Sequence, residues 1–322
     1  MANKFNIYNL FNPAKDGKGV KKEPDAPRNL QYFFKLYSRN FGRLMTVNAF
    51  IVFGNFPFLF FLFANAGFVD RHGIAPASKL FAPLYSAMIQ NGAGSPVTAA
   101  LYSIHGVQAQ ISIPTPATQF FYILSGLIII TFGLVSAGVT YVLRNMVKGE
   151  PVSVWADFWY SVKKNWKQGL VLGIIDAALL GLFAYNIIFY YYNLGQFFNN
   201  VMFYFCLFML ILYFMMRFYL YLMSITFNLS IFKIYKNALI FSMLGFKRNI
   251  TAILGIAFLI FVNYALFLMF VPIGIIIPFI LLFGHCSFMA AYAAYPKIDE
   301  IMIKPYYKKE AITEEPIFKD MG

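Results

Sequence analysis

The amino-acid sequence predicts an all-α, polytopic membrane helix bundle, with six transmembrane helices, cytoplasmic interfacial helices and one long extracellular loop. Three observations carry this prediction. Of the 322 residues, 60% are hydrophobic and only 12% charged, far from the balance of a soluble globular domain, so much of the apolar surface must face lipid. Apolar runs long enough to cross a hydrocarbon core of about 30 Å recur at 46–66, 120–143, 169–192, 201–223, 251–271 and 273–295. Finally, Lys and Arg alternate between connections. Nine precede the first run, five lie from Arg144 to Lys167, four from Lys233 to Arg248, and five follow from Lys297. By the positive-inside rule both termini are cytoplasmic.

Each element follows in order. Residues 1–43 form a cytoplasmic tail, polar and rich in Lys, Gly and Pro to about Pro27 and expected to be loosely ordered. In its second part Lys35, Arg39 and Arg43 recur every four residues beside Phe33, Phe34, Tyr37 and Phe41, the pattern of a basic amphipathic helix on the inner leaflet that leads into the first span. The first span is no cleavable signal peptide, because it starts too late and runs too long. The membrane domain then covers 44–295, with an extracellular insertion at 67–118 carrying five prolines. Within that insertion, 79–90 and 95–106 are apolar enough for short helices, so a small folded cap is expected.

Between the second and third spans, Trp155, Trp159, Val162 and Trp166 share a helical face bordered by Lys163, Lys164 and Lys167. Pro151 and Ser153 start that helix, and Asp157 suits its dipole. The pattern fits an interfacial helix anchored by its indoles, or a docking surface for a partner. From Ser224 to Arg248, Ile231, Phe232, Tyr235, Leu239 and Met243 at helical spacing predict another helix that lies on the membrane or caps the bundle. Pro57, Pro272 and Pro278 kink or break helices, Pro272 marking the outer turn between the last two spans. Residues 296–322 form a second cytoplasmic tail.

Ionisable residues within spans are costly and are the default candidates for function. Asp176 and Arg217 lie six or seven residues from the same ends of the antiparallel third and fourth spans, about 10 Å deep, and are expected to pair. Such a pair either fixes helix register or lines a substrate or proton path. Gly169, Gly173, Ala177 and Gly181 form a stripe that admits a close neighbouring helix. Asn263 and His285 share a depth on the last two spans, which predicts a hydrogen bond between them.

Other chemistry is missing. There is no Walker loop, GxSxG, HExxH or placed pair of carboxylates, so catalysis is not expected. His72, His105 and His285 share no ligand spacing, and Cys206 and Cys286 lie within spans, so neither metal, cofactor nor disulfide is expected. The net charge of +13 does not indicate nucleic acid, because the basic residues are spread between apolar blocks.

The run Gly138-Val139-Thr140-Tyr141-Val142-Leu143-Arg144-Asn145, followed by Val154-Trp155-Ala156-Asp157-Phe158-Trp159 and Lys163-Lys164-Asn165-Trp166-Lys167-Gln168, resembles the YesL family of bacterial membrane proteins. Further resemblance lies in Gly173-Ile174-Ile175-Asp176, Thr226-Phe227-Asn228-Leu229-Ser230, Lys236-Asn237-Ala238 and Tyr295-Pro296. The family has no known function. Two departures are the extracellular insertion, where the family has a short turn, and Asn228, where it often has Asp. The resemblance implies a bacterial plasma-membrane protein that accompanies carbohydrate uptake. It implies an accessory partner of a membrane complex such as a carbohydrate importer, with the lipid bilayer as its surroundings. A small transporter or channel with Asp176 and Arg217 near its path is the competing reading, and an extracellular sensor built on 67–118 a third.

Overall fold

A computed structural model describes residues 28–90 and 95–307; the polar tail before Arg28 and the last part of the C-terminal tail lie outside the described residues. The elements are helices α1 (Leu30–Gly54), α2 (Pro57–Asn65), α3 (Phe81–Gln90), α4 (Pro96–His105), α5 (Pro116–Ser125), α6 (Ile128–Lys148), α7 (Val154–Tyr192), α8 (Phe197–Thr226), α9 (Ile231–Leu244), α10 (Phe246–Met269), α11 (Val271–Ile277) and α12 (Phe283–Ile298). Two strands, β1 (Arg71–Pro76) and β2 (Gln108–Ile113), complete them. Five helical stretches among the described residues are long and apolar enough to cross a membrane, or six if α1 and α2 are one interrupted span. The protein is an all-α, multi-pass membrane bundle.

The chain divides into two compact units, one of residues up to Asn55 with those from Ile129 on, the other of Phe56–Ile128. In the larger unit, α1 starts at Asn29, whose side chain accepts from the Tyr32 amide at 2.9 Å, satisfying an orphan donor of the first turn. The basic stretch expected on the leaflet is the first half of this one helix. Its Phe33 and Leu36 are buried, and the Phe33 ring packs against Phe288 and Tyr292 of α12. The first span is interrupted at Asn55, whose amide turns back to the Ile51 carbonyl at 2.9 Å, and Pro57 begins α2. Gly149, at φ 77°, ends α6 in a backbone conformation that favours glycine.

The separate Trp-rich helix expected between spans two and three is continuous with span three. Helix α7 runs 39 residues with a kink at Asn165 (φ −110°, ψ 16°). There the side-chain amide donates to the Ser161 carbonyl at 3.1 Å, a local bond that competes with the helix ladder. At 1.5 Å per residue α7 spans about 58 Å, nearly twice a hydrocarbon core, so a large part of it must project beyond the membrane. The last span likewise does not stop at 295: helix continues through a π-helical turn at Asp299–Ile303 to Tyr307.

The core occupies one end of the larger unit. Leu36, Leu44, Leu143, Met146, Leu172, Tyr219, Leu220, Met223, Ile234, Phe288 and Ile298 are almost wholly inaccessible. Most come from the helix halves nearest the Lys- and Arg-rich connections. In contrast α7 beyond Asp176, α8 before Tyr213 and α10 beyond Ala252 bury no residue. Their surfaces are bare Leu, Ile, Phe and Tyr, the composition lipid or another apolar surface must cover.

The smaller unit adds something the sequence did not announce. Its two short helices α3 and α4 form as expected, packed through Phe81, Tyr85 and Tyr102. They sit between strands paired antiparallel with Arg71 opposite Ile113 and Pro76 opposite Gln108. A stretch as rich in Gly, Ala and Pro as Arg71–Pro76 has little strand propensity, and pairing supplies what propensity lacks. Helices α2 and α5 pack through Phe60, Phe63 and Phe121.

Candidate functional site

Tyr213, Arg217 and Tyr221 follow one another at intervals of four on α8, so 3.6 residues per turn place them in a row on one face. That row faces Asp176 of α7. The carboxylate is fully buried. Arg217 Nε lies 2.9 Å from Oδ1 and 3.1 Å from Oδ2, the Tyr213 hydroxyl donates to Oδ1 at 2.7 Å, and the Tyr221 hydroxyl donates to Oδ2 at 2.9 Å. The buried hydroxyl of Tyr235 of α9 has no hydrogen-bond partner among the described residues. One buried anion is thus held by a cation and two phenols, which is what an ionised carboxylate in a low-dielectric interior requires.

The approach of α7 is set by small side chains. A Cβ on Gly133 of α6 would fall 2.1 Å from the Gly169 carbonyl oxygen and 2.6 Å from the Gly173 Cα, so α6 and α7 touch backbone to backbone. Gly181, further along the same stripe, has nothing within 4 Å of a built Cβ. Where the helices do touch, Ser161 donates to the Ala137 carbonyl at 3.0 Å.

Arg217 is not sealed as Asp176 is. Its side chain is 22% exposed, stacks over Phe132 and Phe214, and borders a cavity of about 340 Å³ among α1, α6, α8, α10 and α12. Asn55, Ser136, Thr140, Tyr221, Cys286 and Ser287 are the other polar residues in a wall otherwise mainly apolar. The buried Oδ1 of Asn55 has no hydrogen-bond partner among the described residues.

Asn263 and His285, expected to bond to each other, have other partners. Pro278 has no N–H to offer the carbonyl of Gly274, four residues earlier, and Asn263 Nδ2 donates to that carbonyl instead, at 3.1 Å. His285 donates from Nδ1 to Leu281 O within its own helix, leaves Nε2 buried without a partner, and lies against the rings of Tyr37 and Phe41. A second asparagine, on α1, completes the repair. Asn48, fully buried, donates to the carbonyls of Pro278 and Phe279 at 3.0 and 2.7 Å and accepts from the Gly284 amide at 2.8 Å. These asparagines supply the hydrogen bonds that a proline-interrupted, π-helical backbone at Pro278–Leu282 loses.

On the projecting half of α7, Trp155, Trp159 and Trp166 are 66%, 41% and 51% exposed. Phe158 between them is buried and stacks on Phe50 of α1 at 4.3 Å. Lys163, Lys164 and Lys167 are exposed, with Lys164 over the Tyr160 ring and Lys167 over Trp166. Among the described residues no three His, Cys, Asp or Glu side chains gather where they could hold a metal.

Residues 117–187 match a family described as protein of unknown function, DUF624. The match covers α6, the Trp-rich half of α7 and Asp176, but not the Tyr213, Arg217 and Tyr221 row that completes the buried cluster. It is consistent with the YesL-like resemblance. Neither the curated proteins nor the solved structures include a match to this chain.

Proposed function

We propose that this membrane protein is a non-enzymatic accessory subunit, which docks a second membrane complex through the Trp- and Lys-bearing half of α7. The Lys- and Arg-rich end is the cytoplasmic one under the positive-inside rule, so the docking face lies in the cytoplasm. The observation that carries this reading is the exposure of Trp155, Trp159 and Trp166 on a helix that Phe158 and Ser161 fix against α1 and α6. Aromatic side chains beside a cationic rim are the composition of interface hot spots. A carbohydrate importer is the class of complex that the YesL-like resemblance suggests, in a bacterial plasma membrane.

A photo-crosslinking residue at position 155 or 159, activated in native membranes, tests this. Attachment to a subunit of an importer, together with reduced uptake in a Trp155→Ala, Trp159→Ala double variant, is the expected outcome. Label recovered on lipid alone, with uptake unchanged, would reduce the tryptophans to membrane anchors and remove the docking role.

The second reading, a small transporter or channel, is favoured by the cavity that reaches Arg217. Cys286 borders it, so a Cys206→Ser background leaves one native thiol as a reporter. Labelling of Cys286 by a membrane-impermeant thiol reagent, blocked by a solute, supports a water-filled path. No labelling from either side rejects it.

A further inference from the structure

A second, larger concavity of about 840 Å³ lies between α1, α10 and α12, at the Lys- and Arg-rich end of the bundle. Its polar mouth holds Arg28 and Arg248. Its walls run along α10 as Thr251, Ala252, Gly255, Phe258 and Leu259, with Phe33, Phe34 and Tyr37 of α1 opposite. From Arg248 to Leu259 the helix rises about 16 Å, close to the depth of one leaflet's hydrocarbon, roughly 15 Å.

The two guanidiniums are positioned by backbone and not by carboxylates. Arg248 donates to the carbonyls of Ala293, Arg28 and Tyr292 at 3.2, 3.1 and 3.1 Å and lies over the Tyr292 ring. Arg28 donates to the Val147 carbonyl and lies over Tyr32. Among the described residues no Asp or Glu forms an ion pair with either. Glu300, which acts on Arg248 at a distance, is itself bound to Lys297 at 2.7 Å. The site therefore joins two guanidiniums, neither ion-paired to a carboxylate among the described residues, to a leaflet-deep apolar trough. Gly255 keeps the trough open, since a Cβ there would already press on Met289 Sδ at 3.2 Å.

We propose that this groove binds one anionic glycerophospholipid, its phosphate between Arg28 and Arg248 and an acyl chain along α10 beside Phe258 and Phe34. The charge complements a phosphate that carries no balancing ammonium, and planar guanidiniums match phosphate oxygens in forked geometry. Length and polarity fit a lipid lying in its own leaflet, and a soluble phosphate would leave the trough empty.

The test is native mass spectrometry of the delipidated full chain offered phosphatidylglycerol or phosphatidylcholine at equal concentration. Phosphatidylglycerol is expected to be retained about thirtyfold better, the order of preference that two basic residues at headgroup depth provide. Arg28→Gln with Arg248→Gln should bring it to the phosphatidylcholine level. Gly255→Leu should weaken retention of phosphatidylglycerol without touching either charge, and it decides the matter if the arginine variants do not fold. Equal retention of the two lipids overturns the proposal, and so does retention of phosphatidylglycerol that Gly255→Leu leaves unchanged. Selective binding that appears only after residues 1–27 are removed also overturns it, because that segment is then the occupant.

Discussion

The two halves of the helices in the larger unit differ more than their similar composition suggests. Toward the Lys- and Arg-rich connections, α6, α7, α8 and α12 interlock around the buried Asp176, Tyr219 and Phe288, with the tryptophan-bearing face of α7 left open. Toward the other end the same α7 and α8 present Tyr185, Tyr192, Phe197 and Tyr204 outward. In a bilayer both halves satisfy the hydrophobic requirement, so hydrophobicity alone cannot decide where helices pack. The packed half has what lipid cannot replace: glycine-to-glycine backbone contact and a polar cluster that must be closed by a neighbour. Fold specificity is therefore concentrated in a few small and polar residues at one end.

The largest effect should come from opening that cluster. Asp176→Ala leaves Arg217 facing two phenols without its counter-charge, and removing one partner of a buried pair costs about 3–5 kcal/mol. Thermal challenge in mild detergent followed by size-exclusion chromatography should show the variant aggregating well below the wild-type temperature. Adding Arg217→Met should recover much of the loss. If the double variant is no better than the single, the two charges are not coupled and the cluster is held by its tyrosines.

Glycines sharpen the same contrast within one pair of helices. Gly133→Ala puts a methyl into the backbone of Gly169 and Gly173, and overpacking a tight contact costs about 1–3 kcal/mol. Here the upper end applies, because backbone cannot swing aside. Gly181→Ala, in open space on the same stripe, should be neutral or slightly stabilising through helix propensity. Equal behaviour of the two in the thermal assay would mean that the packed and bare halves are not distinct.

Much of this arrangement was legible in the sequence, and the parts that were not share a cause. The depth of Asp176 and Arg217 could be counted from their span ends, and the structure brings them together. Apolar runs placed the spans and the two short helices of the insertion, and Pro57 marked the break in the first span. Tyr213 and Tyr221 escaped notice among 22 tyrosines, although their spacing of four on either side of Arg217 was the available signal. Asn263 was assigned the wrong partner. Its acceptor, the Gly274 carbonyl, becomes free only because Pro278 lacks a donor, and that is a backbone property no side-chain list displays. The fusion of the Trp-rich helix with span three also hid behind Pro151 and Ser153, which mark a helix start but say nothing of its length.

Tyrosine hydroxyls provide the next smaller step. Tyr221→Phe removes one donor from the Asp176 carboxylate, and a hydrogen bond to a charged group contributes about 1.5–3 kcal/mol. Arg217 and Tyr213 remain on the anion, so the lower end is expected. Tyr204→Phe, on the bare half of α8 with 68% exposure, should not shift the thermal transition measurably. A Tyr221→Phe variant as stable as Tyr204→Phe would show that water reaches the carboxylate and replaces the phenol.

The smallest effect belongs to the smaller unit, where a second aspartate is served by similar hydroxyl donors but stands partly exposed. Asp70 accepts from Ser112 at 2.6 Å and from Thr118, tying the start of β1 to the end of β2 and to α5, and those bonds hold its carboxyl below the usual carboxylate range. A depressed folded-state value means that the contribution is complete above the unfolded aspartate value of about 3.9. It is lost as the pH falls from there through the folded value, because the unfolded chain takes up the proton first. Asp70 is the only carboxylate side chain between residues 56 and 128, so acid has no other such group to act on there. Hydrogen exchange of the β1 and β2 amides, corrected for intrinsic rates, should lose protection across that acid window in the native chain. In Asp70→Asn protection should be lower near neutrality and flat with pH. A native profile as flat as the variant's would mean that strand register, and not the carboxylate, closes the hairpin.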